Sequence, residues 1–383
     1  MKQKGLLLLL ALSALLVTTG SLFGGETNQD NIIAEIINVQ KYNRSIHVMA
    51  MLLVGFGFLM VFVRKYGRST LTATYLLVSV GIPMYFLVSE GSSVEIEKLI
   101  LAEFGTVSLL ICAGAVLGRL KMIQYILLGI LFMPCYALNE WIVLSGGLGL
   151  IGKGMFIDTG GSVIIHAFGA IFGFGAIFSL TSKKEFETPV ETDETSDKYS
   201  LLGSMVLWIF WPSFCVAIVA PKDIPATVIN VILALCGSTI AAYFSSVAFR
   251  KKVSMEDMAN ATLAGGVTIG ATCNFTTPGT AFVIGIIAGI LSTYGFAILK
   301  EKIQKLIKKM DTCGVLYLHG LPGLLGGLSV LVVVKSVNPG AQILGIVISI
   351  VIALVAGLIV GRIVRFIGTV RIPYSDESEL EVE

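Results

Sequence analysis

Eleven long apolar stretches, separated by short polar breaks, follow one another after residue 45 and constrain the fold of this 383-residue chain more than any other feature. Each is long enough to cross about 30 Å of hydrocarbon as an α-helix, and none shows the sustained alternation of a transmembrane β-strand. The sequence therefore predicts an all-α, polytopic membrane protein with 11 transmembrane helices. The predicted spans are Ile46–Val63, Leu71–Val88, Ile96–Gly118, Met122–Leu144, Gly161–Leu180, Leu201–Val219, Ala226–Phe249, Met258–Phe275, Thr280–Leu299, Gly314–Val334 and Ile343–Val360.

The composition supports a membrane protein and excludes several other classes. Only 14% of the residues are charged and 55% are apolar, with a mean hydropathy of +0.88, whereas soluble domains carry about 25% charge. The net charge of +2 leaves no dominant basic surface for nucleic acid. Most of the chain therefore faces lipid or protein.

The two ends of the chain differ from this membrane domain. Lys2 and Lys4 precede an apolar run over residues 5–17, which has the length of a signal peptide and is short for a span of about 20 residues. We predict a signal peptide over residues 1–24, with an uncleaved first helix as the alternative. The membrane domain then covers residues 25–370, and residues 371–383 form an acidic cytoplasmic tail. The acidic inner loop Glu185–Asp197 and the tail Tyr374–Glu383 are expected to be solvated polar linkers, with contact sites as the alternative.

The distribution of basic residues predicts the orientation. Alternate loops and the C-terminal tail hold most of the 27 lysines and arginines, and such residues accumulate on the cytoplasmic side of a membrane. The N-terminus is therefore expected outside and the C-terminus in the cytoplasm of a cell (plasma) membrane protein. The basic residues assigned to the outer side are Lys41, Arg44, Lys98, Lys153, Lys222 and Lys335.

The six cysteines predict neither disulfides nor a cysteine-held metal centre. None lies in a predicted outer loop, and no two are spaced as CxxC.

Two of the three histidines lie in matching segments. Asp158-Thr-Gly-Gly-Ser-Val-Ile-Ile-His166 parallels Asp311-Thr-Cys-Gly-Val-Leu-Tyr-Leu-His319, so that His follows Asp by the same spacing in both. The first segment enters the membrane from the outer side and the second from the inner side, which indicates inverted repeats of spans 1–5 and 6–10. Eight helical residues advance about 12 Å, so both rings should meet near the middle of a core about 30 Å thick.

The paired histidines are the strongest candidate site. Ionisable residues inside a membrane are rare and usually line a path or bind something, although a single buried histidine is often only a packing residue. Neutral imidazole offers one donor and one acceptor nitrogen, and an apolar path disfavours a bare ion. The pair therefore favours transport of a small, neutral, hydrogen-bonding molecule. His47, near the outer end of the first span, is explained by interfacial packing, and Asp158 and Asp311 are explained by helix capping.

Two other classes of function compete with transport. In a membrane redox protein, His166 and His319 would be the axial ligands of one haem, which predicts a Soret absorption band. An intramembrane hydrolase needs a nucleophile and a base, and no such constellation is evident. The chain also lacks a GxxxxGK[ST] loop for ATP. The sequence thus indicates neither an enzyme nor a cofactor.

Several segments resemble the Rhesus (Rh) branch of the ammonium transporter superfamily, in their order and over most of the chain. The similar segments are His47-Val-Met, Val54-Gly-Phe-Gly-Phe-Leu-Met60, Ala102-Glu-Phe104, Gly114-Ala-Val-Leu-Gly118, His166-Ala-Phe-Gly-Ala, Trp211-Pro-Ser-Phe214, Asn260-Ala-Thr-Leu-Ala-Gly-Gly266, Asp311-Thr-Cys-Gly and Leu318-His-Gly-Leu-Pro-Gly323.

This resemblance implies a function and a site. It implies a homotrimer with a pore in each subunit that recruits ammonium outside, deprotonates it and conducts ammonia, with carbon dioxide as the alternative substrate. His166 and His319 would be the twin pore histidines, and Phe104 and Phe214 would close the outer mouth. Asp158 would support recruitment of ammonium, with Asp311 as its counterpart in the second repeat. The chain departs from the family pattern at Tyr317, where asparagine is more usual, and at Cys215, which begins a less polar stretch.

Overall fold

The computed structural model describes residues 29–89 and 95–381, and within these ranges the regular structure is entirely helical. The predicted signal peptide lies outside the described residues. Residues up to 43 form one unit and residues from 44 onward a second, and the account below concerns the second. The principal α-helices are α1 (Gln29–Ala50), α2 (Gly67–Val88), α3 (Ile96–Ala115), α4 (Met122–Val143), α5 (Phe168–Leu180), α6 (Lys183–Glu187), α7 (Glu194–Cys215), α8 (Ile224–Arg250), α9 (Met255–Asn260), α10 (Pro278–Tyr294), α11 (Leu321–Val333) and α12 (Pro339–Arg365).

Several helices continue through turns of different pitch. α1 continues through a π-helical turn, an α turn and a 3₁₀ turn, α10 continues through a π turn into a further α-helix, and α5 and α11 each begin with a π turn. α9 is followed by alternating 3₁₀ and α turns. In chain order, these segments are Met51–Phe56, Gly57–Leu59 and Met60–Phe62 after α1; Ser162–Ala167 before α5; Ala261–Leu263, Ala264–Ile269 and Gly270–Thr272 after α9; Gly295–Leu299 and Lys300–Ile307 after α10; and Leu316–Gly320 before α11.

Nine of the described helical segments are long and apolar enough to cross a membrane, which confirms a polytopic helical membrane protein. They correspond to nine of the eleven predicted spans. The segments are Ile32–Phe62, Gly67–Val88, Ile96–Ala115, Met122–Val143, Ser162–Leu180, Pro221–Arg250, Pro278–Ile307, Leu316–Val333 and Pro339–Arg365.

The sixth and eighth predicted spans are the two that differ. The sixth corresponds to α7, which begins earlier than predicted, at Glu194, because Asp193 caps it by accepting a hydrogen bond from the Ser196 N–H at 2.8 Å. The eighth is α9 with the short turns that follow it. In those turns a side chain at Gly265 would overlap the carbonyl oxygen of Ala234 in α8. The stretch after α9 is therefore packed directly on a neighbouring backbone.

Glycines also allow the central helices to pack closely. A Cβ at Gly169 in α5 would overlap the Ser108 carbonyl of α3, and one at Gly323 in α11 would overlap the Ser162 carbonyl at the start of the π turn before α5. Small residues at such crossings let backbones approach each other. The two segments that carry the matching histidines are thereby brought side by side.

The acidic tail is packed against the protein, so the expectation of a solvated linker is wrong for it. Tyr374 is buried, and its N–H donates to the Gly118 carbonyl at 2.9 Å. The Asp376 carboxylate accepts hydrogen bonds from the Ser69 N–H at 2.8 Å and from the Arg68 N–H at 3.3 Å, at the start of α2. Glu379 accepts one from the Met122 N–H at 3.1 Å, at the start of α4. The tail therefore caps two of the long helices.

The acidic loop 185–197 is also partly packed. Glu185 is buried and forms an ion pair with Arg365 at 3.6 Å, and the Arg64 N–H donates to the Glu191 carbonyl at 2.9 Å. The prediction of a solvated linker is therefore wrong at these positions as well.

Candidate functional site

The two histidines of the matching segments meet inside the bundle. The Nδ1 atoms of His166 and His319 lie 3.2 Å apart, and the two rings are almost parallel, at 4°, with centroids 5.3 Å apart. Only 2% and 3% of their surfaces are exposed. Each ring comes from the π turn that opens its helix, α5 for His166 and α11 for His319.

The two aspartates cap these π turns, as the capping interpretation predicted. Asp158 Oδ2 accepts hydrogen bonds from the N–H groups of Val163 and Ile164 at 2.9 and 2.8 Å. Asp311 accepts from the N–H groups of Val315 and Leu316 at 3.1 and 3.2 Å. The free N–H groups at a helix start and its positive dipole end both favour a carboxylate there. The aspartates therefore hold the segments that carry the histidines.

A glycine three residues after each aspartate completes the match between the segments. Gly161 and Gly314 have φ angles of +72° and +68°, a left-handed conformation that glycine adopts without steric cost. The chain can therefore reverse between the capping aspartate and the π turn in the same way on both sides.

Burial raises the pKa of both aspartates. It raises the pKa of Asp158 to about 7, against the opposing effect of the backbone hydrogen bonds. Burial also raises the pKa of Asp311 above its ordinary value, again partly offset by backbone hydrogen bonds. Near neutral pH the Asp158 carboxyl therefore exchanges readily between neutral and charged forms, and a nearby cation would favour the charged form.

The predicted phenylalanine pair lies directly beside the histidines. Phe104 and Phe214 are both buried, with ring centroids 4.5 Å apart at 48°. The Phe214 centroid lies 6.1 Å from that of His166. The structure thus places Phe104, Phe214, His166 and His319 in one continuous row of rings.

Two further rings belong to this row but were not predicted as site residues. Trp211 stacks on His166 at 5.5 Å and 16°, and Phe56 stacks on His319 at 6.1 Å and 25°. The Trp211 ring lies over Gly266, where a side chain would overlap it. Both residues lie in segments that resemble the Rh branch, which was the available signal. Nothing local distinguishes them from packing aromatics.

His47 is held in a separate contact. Its Nδ1 lies 2.9 Å from Ser213 Oγ, and its ring stacks on Phe210 with centroids 4.9 Å apart. These contacts join α1 to α7. They agree with the packing interpretation of this residue.

A cavity of about 450 Å³ reaches His319 from the other side of the pair. Phe56, Leu318 and His319 line one part of it, and charged side chains line another. Among these, Lys300 Nζ lies 2.7 Å from Glu256 Oε1. The histidine pair is therefore bordered by the Phe104–Phe214 pair at His166 and by a cavity of mixed apolar and charged lining at His319.

The geometry does not accommodate a haem between the histidines. Metal–imidazole bonds are about 2 Å long, so an axial pair needs nitrogens about 4 Å apart on opposite faces of a porphyrin. The rings instead stack side by side with their Nδ1 atoms 3.2 Å apart. Within the described ranges, no group of three or more His, Cys, Asp or Glu residues is arranged to hold a metal ion.

The apolar helices and the buried histidine pair define the chain as a multi-pass membrane protein with an ionisable centre. Comparison with known proteins identifies the family. The model of the Ammonium Transporter Family matches residues 6–382, and the chain belongs to that family.

Its similarity to the Rh branch is also confirmed. The chain is 39% identical over 248 residues to Ammonium transporter Rh type A of Bos taurus, covering 63% of this chain and 56% of that protein. It is 37% identical over 241 residues to Ammonium transporter Rh type C of Xenopus laevis, covering 61% and 50%. These alignments span about half the length of the curated relatives.

Solved structures share the fold. Nitrosomonas europaea Rh50, of the Rhesus protein family of channels, is 48% identical with a TM-score of 0.88, covering 90% of this chain and 93% of that one. A Sensor Amt Protein is 20% identical with a TM-score of 0.75, covering 89% and 95%. The second similarity concerns the fold alone.

Proposed function

We propose that the chain is an ammonia channel that recruits ammonium on the outer side, deprotonates it and conducts ammonia along His166 and His319. The observation that carries the proposal is the contact between these two buried rings, with the phenylalanine pair beside His166 and a cavity of mixed apolar and charged lining at His319. The family and the names of its similar members support ammonium or ammonia as substrate.

The histidine contact suits a neutral molecule. One Nδ1 must donate and the other accept, so the two rings take opposite tautomers when both are neutral. One ring then offers Nε2 as an acceptor, and the other offers Nε2–H as a donor. Ammonia both donates and accepts hydrogen bonds and can therefore bind along the pair. A bare cation would lose its hydration in this enclosed, largely apolar path.

Recruitment and gating are assigned to the groups on the outer side of the pair. Phe104 and Phe214 would close the mouth, so that only a small molecule passes when their rings move apart. Asp158 would favour ammonium near the mouth through its negative charge. Among the described residues its Oδ1 atom has no hydrogen-bond partner, so one carboxylate oxygen is not committed to the helix cap. Asp311 would have the corresponding structural role on the inner side, as the cap of the π turn before α11.

The cavity that reaches His319 would be the inner exit. Ammonia entering it meets polar and charged side chains, including Asp197 and Glu256, and can be protonated again by water there. The proton removed from ammonium would pass to water on the outer side, so that ammonia crosses the histidine pair uncharged.

The membrane topology is also part of the proposal. α7 and the broken stretch from α9 to Thr272 would complete the nine clear spans to eleven, arranged as inverted repeats. The N-terminus would lie outside and the C-terminus in the cytoplasm of the plasma membrane, and three copies would assemble as a homotrimer. The basic loops support the orientation, and the matching caps before α5 and α11 support the inverted repeats. The homotrimer rests on the resemblance to the Rh branch.

The histidine pair can be tested by removing both rings. His166→Ala with His319→Ala should lower ammonia conductance at least tenfold, because the path loses its hydrogen-bonding groups. The measurement is stopped-flow recording of ammonia-driven pH changes in proteoliposomes, together with uptake of labelled methylammonium. His47→Ala is the matched control, and its flux should stay within about twofold of the unsubstituted protein.

Carbon dioxide flux on the same vesicles gives the second arm of this experiment. Unchanged ammonia flux in the double variant, with its oligomeric state retained, would contradict the assigned roles. A loss of carbon dioxide flux alone would make carbon dioxide the substrate of this path.

A further inference from the structure

A second cavity lies at the inner end of the bundle, away from the histidine pair. It measures about 480 Å³ and is formed where the start of α4, the start of α6 and the chain after α12 meet. The cavity has no part in the proposed ammonia path. It is lined by Lys121, Ser182, Lys184, Glu185, Thr369, Val370, Arg371, Pro373, Ser378 and Glu379.

The cavity is lined by more basic than acidic side chains, so it has hydrogen-bond donors without carboxylate partners. Lys121 Nζ and Lys184 Nζ donate to the carbonyls of Ile367 and Arg371, at 3.4 and 3.0 Å. Within the described part of the chain, neither lysine nor Arg371 forms an ion pair with a carboxylate. Three cationic side chains therefore line the cavity, and the two lysines donate only to backbone carbonyls.

The two acids that line the cavity are already engaged. Glu185 is buried, accepts a hydrogen bond from the Ser182 N–H at 2.5 Å and forms an ion pair with Arg365. Glu379 accepts one from the Met122 N–H at 3.1 Å. The cavity is thus suited to an anion that accepts several hydrogen bonds.

The position of the cavity indicates the source of that anion. α12 has 27 residues and is about 40 Å long, which exceeds a hydrocarbon core of about 30 Å, and its last turn carries Arg362 and Arg365, as expected at headgroup level. Directly after it, Phe366 is 88% exposed, and Ile367 and Ile372 are also exposed. Apolar side chains beside a basic cavity at this level match the boundary between acyl chains and headgroups.

We propose that this cavity binds the phosphate of an anionic phospholipid from the inner leaflet. Lys121, Lys184 and Arg371 would contact the phosphate oxygens, and the hydroxyls of Thr369 and Ser378 lie in the same lining. Phe366 and Ile367 would contact the upper part of the acyl chains. The bound lipid would join the ends of α4 and α12 to the tail.

The experiment compares lipids on the purified full-length chain in detergent. Native mass spectrometry and thermal unfolding are recorded during titration with phosphatidylglycerol or with phosphatidylcholine. The unsubstituted protein should bind phosphatidylglycerol roughly tenfold or more tightly, since each basic group near a membrane surface contributes to the attraction of anionic lipid.

The test variant is Lys121→Gln with Lys184→Gln and Arg371→Gln, and it should lose that preference. Lys302→Gln with Lys305→Gln and Lys308→Gln removes the same charge from an exposed basic helix and should retain it. Arg371→Lys should also retain it, because the charge is kept. Gel-filtration profile and helix content establish that each variant is folded before binding is measured.

Three outcomes would overturn the proposal. One is an unchanged phosphatidylglycerol preference in the folded test variant, and another is an equal loss in the control variant. The third is binding of sn-glycerol 3-phosphate as tight as that of the lipid, which would make this a site for a soluble phosphate.

Discussion

At the residue scale, one short pattern positions each histidine. An aspartate caps the turn, a glycine with positive φ follows three residues later, and the histidine comes five residues after that glycine, as in Asp158, Gly161 and His166. These relations are local, and together with the opposite directions in which the two segments enter the membrane they predicted that the two rings meet. The stacking of Phe56 and Trp211 on them depends on helices far apart in sequence, and local spacing carries no information on it.

The positive φ at Gly314 can be tested by substitution. Gly314→Ala should destabilise the protein by about 1–2 kcal/mol for the left-handed conformation alone, and more because the added carbon would overlap the Phe296 ring. Gly149→Ala is the matched control, since Gly149 has a φ of +65° with open space around it. Thermal unfolding in detergent should rank Gly314→Ala below Gly149→Ala, and an equal effect of both would contradict the close contact with Phe296.

The ionisation of Asp158 predicts a pH dependence of stability. The folded carboxyl holds its proton up to about pH 7, whereas an exposed aspartate loses it near pH 4. Folding therefore binds a proton between these values, and the contribution of this group to stability decreases as the pH rises from about 4 to 7.

The measurement compares Asp158→Asn with the unsubstituted protein. The difference in melting temperature between pH 5 and pH 8 should be smaller in Asp158→Asn, because its side chain does not ionise. Asp223→Asn, at the start of α8, serves as the control and should follow the unsubstituted protein. A parallel pH profile for Asp158→Asn would show that burial does not hold the proton on this carboxyl.

At the scale of helices, nine of the eleven predicted spans coincide with long apolar helices of the described residues, and the other two fall on α7 and on the stretch after α9. α7 begins with Glu194 and further charged residues, so hydropathy detects only its later, apolar part and misses its first turns. The stretch after α9 changes pitch at the 3₁₀ turns Ala261–Leu263 and Gly270–Thr272, and the α turn between them packs Gly265 against the Ala234 carbonyl and Gly266 against the Trp211 ring. Hydropathy measures transfer into lipid and contains no term for helix pitch or backbone contact, so it does not reveal these changes.

At the scale of the whole molecule, the charged loops and tail also hold the helices together. The loops and the tail were assigned to the inner side because of their basic residues. Their acidic residues were taken as solvated, because the sequence does not show which distant helix starts they reach. In the structure, Asp376 and Glu379 cap α2 and α4. The tail thus connects helices that are separated by more than 250 residues from it.

Removal of these two caps should weaken the bundle without changing the histidine pair. Asp376→Asn with Glu379→Gln removes both charges, and a lost helix cap costs about 0.5–2 kcal/mol. Both substitutions keep an oxygen acceptor, so the loss of stability at each site should lie at the lower end of this range. A lower melting temperature in detergent is therefore expected.

Glu377→Gln is the control, because Glu377 is exposed between the two capping residues and caps neither helix. If the tail were a solvated linker, the double variant and the control would melt at the same temperature. Ammonia flux measured below the melting temperature should be unchanged in the double variant. A changed flux would show that the tail also shapes the ammonia path.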